Sequence, residues 1–537
     1  MQKFSVIDIG GQSVRLAVFD KRMSLLWLEK IPISTTISTK QSATFIEHDP
    51  DELITACRDL LSLCGRWSST ALSSFALATQ RSSIICWDRS NGSALSNIIS
   101  WQDTRATHLL NEVILQASVS ESLSVRKIRQ NIKKATGLYP SPHYGASKMS
   151  STLLQMNLSF NNISAQNLLA RKVTITPLIS WMMAQVQVSI GFSVSHFGSR
   201  QKIHVIVDEG HAQRTMLWNI HDHQWDSKLL KDFKIPVEIL PQVTCNLIKP
   251  CYFNAADKIR CELMIGDQAA ALFANGLPHT DVCYINTGTG AFVLLPYDSS
   301  FTIPEELLDT IIYKDDSITL NAIEATINGA GSALLYCDQV TGVSQAQRPL
   351  YNMLEGLSNN ACFLNGVGGL ASPWWEPDFQ SKFINCCSIF EKYQAVYESI
   401  LFLIKKNFDC INKAVESTVL GTKAVDSDAV KAINKVVVSG GLSLDVRFCK
   451  ALATLLKPPV YRNNIHEATV KGAAYILAHR ECDKAGRLRL IADHYSDDEA
   501  ISNLTLVNPL HDSEPLIRRY HFWDAAMGQA MARFERV

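Results

Sequence analysis

The chain lacks most of what would send a protein to a membrane, a secretory route or a polyanion. Its 14 cysteines include no C-x-x-C pair, which removes the usual spacing of a structural zinc or dithiol redox site. The adjacent Cys386 and Cys387 read as core filler rather than a bridge, and a reducing, cytoplasmic setting is expected. The start, MQKFSVIDIGGQSVRLAVFD, carries no basic n-region, apolar h-region or small-residue cleavage site, so export is not expected. Without a signal peptide the Asn-x-Ser/Thr triplets at Asn157, Asn162 and Asn503 carry no weight. The longest apolar stretch, ITPLISWMMAQVQVSIGFSV, is interrupted by Pro, Gln and Ser and falls short of a membrane span. It reads as a buried helix running into a loop or strand. Net charge is also missing: 51 Lys and Arg balance 51 Asp and Glu, which leaves no long-range field for nucleic acid or an anionic membrane. No short-period repeat is present.

What is there is an ordinary globular composition. The 537 residues are 47% hydrophobic and 19% charged, enough apolar side chains for two large domains. Two segments read as the opening strand of an α/β layer, FSVIDIG and VCYINTGTGAFVLLP. In each, an apolar β-branched strand reaches a Gly-rich turn and resumes as a second apolar run. DELITACRDLLSLC has a helical pattern, and SFNNISAQN reads as a polar stretch of low order. A domain break is expected around residues 250–260, giving domains 1–255 and 256–537. Late in the chain, INKVVVSGGLSLDVRFCKALATLLKPPVY predicts strand, glycine turn, amphipathic helix and strand.

Several residues have the chemistry for phosphoryl transfer, which needs backbone N–H donors around phosphates, carboxylates for Mg²⁺ and a base beside the attacking hydroxyl. Asp8 ends a strand just before Gly10 and Gly11, where backbone can approach a phosphate, and Arg15 follows on the return strand. The same pattern also describes an ordinary tight turn. NTGTG, Asn286 to Gly290, is a second such turn, or an ordinary hairpin. Gly440 and Gly441 could let a nucleoside lie against backbone, or merely pack a helix on a sheet. Asp267 starts the Ala-rich helix of IGDQAAALF, as a sequestered base or as a plain N-cap.

Taken in order, these pieces resemble the FGGY carbohydrate kinases of the actin-like ATPase superfamily, glycerol kinases most of all. The resemblance runs through DIGGQSVR, ATQRSSIICWDRSNGSALSNIISWQDTRA, GLYPSPHYGASK, HVIVDEGHAQRTMLWNIHDHQWDSKLL, IGDQAAALF, NTGTGAF, NAIEATINGAGSALLY, GVGGLASPWWEPD, VVSGGLSLDVRFCKALA, HEATVKGAAYILA and IRRYHFWDAAM. It implies an α/β fold of two ribonuclease-H-like domains flanking a catalytic cleft, with substrate side and first phosphate loop in the first domain. The second phosphate loop, adenosine side and catalytic Asp are expected in the second.

The implied activity is ATP-dependent phosphorylation of a hydroxyl on a small sugar or polyol. Asp267 would be the general base, with Arg81, Ser82, Trp101, His143 and Gln268 facing the substrate. Gly10, Gly11, Gln12, Arg15, Gly288 and Thr289 would lie by the phosphates, and Gly331, Gly440, Gly441 and Asp445 around the nucleoside. The resemblance also implies that Asp8 and Asp267 would face Mg²⁺; the ion itself is expected because no dense Lys/Arg cluster stands near in sequence to neutralise the transferred phosphoryl.

The departures from the family pattern are specific. Ser82 stands where glycerol kinases carry a Glu after Gln-Arg, and His143 where they carry a substrate-contacting Tyr. Losing the carboxylate removes a strong acceptor for hydroxyls, so a tetrose derivative or ketopentose competes with a glycerol-like polyol as substrate. His143, beside Pro142 and Tyr144, reads equally as a buried structural hydrogen-bonder. Gly11 and Gln12 replace Thr residues, and Thr176 replaces an Asp. The altered first loop keeps a second reading open, a non-catalytic kinase-like protein that binds nucleotide or sugar. A chaperone-type ATPase is a third, but has no reason to carry TQRSS or WQDTRA. Homo-oligomerisation is left open.

Overall fold

The computed structural model describes residues 3–40, 43–65, 74–156, 172–188, 203–254, 259–297, 301–351, 356–421, 432–482, 488–490 and 503–534. SFNNISAQN lies outside them. By contact the chain divides into two units, the first comprising Met1–Leu277, Thr310–Leu320 and His466–Tyr495, the second Pro278–Asp309, Asn321–Ile465 and Ser496–Val537.

Both expected sheet openings are antiparallel hairpins. In the first unit β1 (Phe4–Ile9) pairs with β2 (Ser13–Phe19), and β2 with β3 (Leu25–Pro32), also antiparallel. On its other side β1 pairs in parallel with β4 (Ser74–Thr79), and β4 in parallel with β5 (Ile259–Gly266). The resulting order is β3-β2-β1-β4-β5, with Leu247–Asn254 added outside β5. In the second unit β6 (Val282–Thr287), β7 (Ala291–Tyr297) and β8 (Thr319–Ile327) are antiparallel neighbours, while β9 (Lys435–Gly440) and β10 (Val460–Asn463) follow β6 in parallel. The order β8-β7-β6-β9-β10 repeats the first. Each of the two glycine hairpins thus lies in one of two like-ordered sheets.

The runs that build β1, β4 and β6 are largely apolar because central strands are covered on both faces; β1 and β4 are buried at every position. Each unit has its own core. That of the first gathers Ile7, Ile9, Leu77 and Met264 from the sheet with Trp181, Met182 and Met183 from the helix Leu178–Gln187. The apolar stretch that falls short of a membrane span is therefore this buried helix, its continuation at 189–202 lying outside the described residues. The second core joins Ile285, Val293 and Val438 to the helices Ile389–Gly421 and Glu514–Phe534 through Ile400, Ile404 and Trp523. No helix among the described residues is long and apolar enough to cross a membrane.

Two findings differ from the sequence reading. The first unit runs to Leu277 rather than ending near 255, because Ile259–Gly266 pairs with β4 and so belongs to the first sheet. Asp267, expected with the second domain, therefore stands in the first unit. The helix Ala468–Ala478, from HEATVKGAAYILA, is also in the first unit. It packs so closely on the helix Asp267–Leu272 that a Cβ at Gly472 would overlap the Ala270 carbonyl. Cys386 is half-buried against the second core, whereas Cys387 is exposed rather than core filler, and both are free thiols.

Candidate active site

In the first unit three parallel strands end at one level. Ile9 of β1 lies opposite Thr79 of β4, and Thr79 opposite Gly266 of β5. Residues far apart in sequence thereby meet at the carboxyl edge of the sheet, where open α/β sheets bind ligands. Asp8 lies near the end of β1 with Gly10 to Gln12 following it, Gln80 to Ser83 follow β4, and Asp267 with Gln268 follow β5.

Asp267 occupies the first position of its helix, with Gly266 as the cap. It is not the N-cap that its composition allowed. Its Oδ1 accepts from the Gln268 amide at 2.7 Å and its carbonyl accepts from the Thr469 hydroxyl at 3.3 Å. Burial pushes its carboxyl above the ordinary value, and Arg81, the Gln268 amide, His211 and Arg214 act against that rise. Arg81 donates to Gln268 Oε1, and its stem lies across Gly266, where a Cβ would stand 2.8 Å from Arg81 Cγ.

Behind this group is an unforeseen pair. His211 Nδ1 meets Asp208 Oδ2 at 2.6 Å, its Nε2 meets Thr79 Oγ1 at 3.0 Å, and both partners of the ion pair are buried. Asp208 also caps the helix Glu209–Gln213 by accepting from the His211 amide. The Asp-x-x-His spacing in DEGHAQR was the only available signal, one helical turn putting both side chains together.

Asp8 and Arg15 face each other across the β1–β2 hairpin, with Arg15 Nη1 3.5 Å from Asp8 Oδ2 and 3.1 Å from Glu467 Oε2. Glu467 was not foreseen. Asp8 is buried, its Oδ1 has no hydrogen-bond partner, and burial, with the charge of Asp267 next in weight, pushes its carboxyl up to about 7. Gln80 Oε1 is also buried and unpartnered. Two carboxylates that disfavour each other's ionisation, with orphaned acceptor oxygens beside them, suit a divalent cation. Among the described residues no group of three or more His, Cys, Asp or Glu is gathered as a metal cage.

Gly10 closes the hairpin by donating to Ser13 O at 3.0 Å, and Gln12 is exposed. Neither Gly10 nor Gly11 needs its missing side chain, since a Cβ would meet nothing nearer than 3.6 Å. At Gly11 that nearest atom is Gln80 Oε1, so the absent hydroxyl leaves open space rather than relieving a clash.

The substrate-side segments converge on Lys148, quoted within YGASK but given no role by the sequence reading. Lys148 Nζ donates to Ser82 O and His143 O, each at 2.7 Å, and to Ser100 O at 3.1 Å. Ser82 has a left-handed backbone, φ 64°. The Trp101 amide donates to Ser83 Oγ at 2.9 Å, and the Trp101 carbonyl lies 3.1 Å from His143 Nδ1. Thr176 is buried and accepts from Trp87 Nε1 at 3.0 Å, a structural bond.

In the second unit the parallel β6–β9 pairing puts Thr287 opposite Gly440. The Gly288 amide donates to Gly290 O at 2.8 Å, the Gly331 amide to Gly288 O at 3.0 Å and the Ser332 amide to Thr289 O at 3.0 Å. Gly288, Thr289 and Gly331 are thus brought together. Gly440 has φ +89°, and a Cβ there would overlap Thr287 O, so glycine is required. Gly441 opens the short turn Gly441–Leu444. Asp445 caps the following helix, Val446–Leu455, by accepting from the Arg447 and Phe448 amides at 2.9 and 3.2 Å.

Comparison with known proteins agrees with this architecture. Residues 4–247 match the N-terminal domain of the FGGY family of carbohydrate kinases, and residues 283–481 its C-terminal domain. The chain is 27% identical over 450 residues to a glycerol kinase of Ralstonia pickettii, covering 80% of this chain and 81% of that one. It is 25% identical to a glycerol kinase of Halothermothrix orenii, covering 98% of both. Among solved structures, Plasmodium falciparum glycerol kinase with ADP superposes with a TM-score of 0.76 at 20% identity, over 99% of this chain and 98% of that one. A ligand-bound xylulose kinase from Lactobacillus acidophilus gives 0.74 at 15% identity over the whole of both chains. With both family domains matched in order and the sheet repeated in both units, the chain belongs to the FGGY family of carbohydrate kinases, phosphotransferases with an alcohol group as acceptor.

Proposed function

We propose that this protein transfers the terminal phosphoryl group of ATP to a hydroxyl of a small polyol or sugar, with Asp267 as the general base. The observation that carries the reading is the setting of Asp267. It is a carboxylate at the end of a buried strand, sheltered enough to attract a proton, yet opposed by Arg81, His211, Arg214 and a backbone amide that favour its ionised form. Arg81 and Gln268, joined by a hydrogen bond beside it, are assigned to hold the acceptor's hydroxyls. Ser82, Trp101 and His143 complete that side and choose among a glycerol-like polyol, a tetrose derivative and a ketopentose.

The first unit is assigned the acceptor side, the base and the first phosphate loop, where the Gly10, Gly11 and Gln12 backbone and Arg15 face the terminal phosphates. The second unit is assigned the other phosphate loop, through Gly288 and Thr289. Gly331, Gly440 and Gly441 are assigned to the nucleoside, with Asp445 fixing the helix beside them. Asp8 and Asp267 would hold Mg²⁺, which supplies charge neutralisation of the transferred group. Asp8 Oδ1, buried and without a partner, is the atom that favours this assignment.

The experiment is ADP release from Mg-ATP by purified protein across glycerol, erythritol and ketopentoses, alongside Asp267→Asn. Acceptor-stimulated turnover is expected, reduced about 10³-fold or more in the variant, since a positioned base contributes about 10²–10⁴. Nucleotide binding with no stimulation by any acceptor would instead support the non-catalytic binding protein.

A further inference from the structure

Lys148 is fully buried within the helix Gly145–Gln155, and its Nζ donates to three carbonyl oxygens. Burial pushes the Lys148 ammonium down to about 7, with Asp103 acting the other way; in its protonated form its three N–H groups match the three carbonyls. The three belong to different segments: Ser82 after β4, Ser100 just before Trp101, and His143. Ser82 is held in a left-handed conformation that a non-glycine residue keeps only when its surroundings enforce it. Asp103, the nearby charge that favours the ammonium, is itself engaged by Arg105 at 2.9 and 2.6 Å and by the Ile46 amide at 2.7 Å.

His143 adds an independent constraint. Its Nδ1 lies 3.1 Å from the Trp101 carbonyl, which can only accept, so Nδ1 carries the proton. Burial and the Lys148 charge hold the ring below the ordinary imidazole value, with Asp103 acting the other way. A neutral ring protonated at Nδ1 has its lone pair on Nε2.

We propose that Lys148 is a positioning residue for the acceptor side of the site. It fastens the Ser82, Ser100 and His143 carbonyls at one point and, with the Trp101 carbonyl, presents His143 as an imidazole whose Nε2 accepts a hydrogen bond from a substrate hydroxyl. This rests on the kinase reading above. It gives the pocket a neutral acceptor at His143, while Ser82 offers no carboxylate. A substrate with a hydroxyl at that point is preferred over its deoxy analogue.

The test measures kcat and KM for the acceptor separately from pH 5 to 9, with Mg-ATP saturating, in the full chain and in His143→Gln, His143→Phe and Lys148→Met. Protonation of the raised carboxyls of Asp267 and Asp8 lowers kcat on the acid side in every one of these proteins, whereas in the unaltered protein KM also rises there, because protonation of His143 removes the acceptor. His143→Gln retains an acceptor oxygen and loses the acid rise in KM, staying within about threefold at neutral pH, whereas His143→Phe raises KM about 30-fold. Lys148→Met moves the acid rise in KM to higher pH, since the opposing cation is gone while Asp103 remains. An acid rise in KM that survives in His143→Gln, or His143→Phe matching the unaltered protein, overturns the proposal. Nitrogen-15 NMR of labelled histidines, with His143→Gln assigning the signal, reads the tautomer without any turnover. An Nδ1–H, Nε2-lone-pair ring supports the proposal, and the opposite tautomer or an imidazolium at neutral pH overturns it. Absence of acceptor-stimulated turnover in the unaltered protein would sink the kinase reading, and the tautomer would still be decided.

Discussion

At the scale of single residues, glycines in two turns do different work: Gly11 in the β1–β2 hairpin, and Gly440 at the end of β9. Gly440 adopts φ +89° and has the Thr287 carbonyl where a Cβ would go. Gly440→Ala therefore combines left-handed strain with a backbone clash and is expected to cost about 3 kcal/mol of stability. Gly11 has neither constraint, so Gly11→Ala is expected to stay within about 0.5 kcal/mol. Urea midpoints of the two variants, read side by side, check the contrast; equal losses would contradict it. The sequence placed Gly11 in a hairpin and Gly440 ahead of a helix, but could not show which of them lacks room for a side chain, because that is decided by a carbonyl contributed by a neighbouring strand. The same limit applies to Lys148. Its identity was visible, but its three acceptors come from segments up to 66 positions away.

At the scale of elements, the short helix Asp267–Leu272 could not hold its position alone, since isolated helices of this length are not stable in water. It is held by the helix Ala468–Ala478, whose Gly472 allows backbone contact with Ala270 and whose Thr469 donates to the Asp267 carbonyl. Gly472→Leu must push the two helices apart. A displacement of about 1 Å at Asp267, the proposed base, is enough to cost about 10²-fold in rate, so kcat is expected to fall at least tenfold while the far-UV circular dichroism of the protein is unchanged. Unaltered kcat in a folded variant would show that Asp267 is positioned without this contact. HEATVKGAAYILA displayed its small residues plainly. Which helix they approach was not legible, because a stripe of Gly and Ala fits any partner.

At the scale of the whole molecule, the two repeated sheets bury separate cores, one gathered around Ile9, Leu77 and Trp181, the other around Ile285, Ile404 and Trp523. Chains with two cores depart from two-state behaviour. Urea unfolding followed by circular dichroism and by tryptophan fluorescence is expected to give non-coincident midpoints; a single coincident transition would show that the cores melt as one. The sequence by itself determined the two sheet openings, the strand-turn-helix-strand unit from Lys435 to Asn463 and the family. These rest on local patterns: apolar alternation, glycine turns and motifs in order. Only the tertiary structure decided that Ile259–Gly266 completes the first sheet and carries Asp267 into the first unit. It alone also gathered Glu467, His211 and Lys148 around the candidate site. Parallel pairing joins strands through long crossovers that leave no local mark, and a buried polar group finds its partners wherever the packed chain brings an acceptor within reach.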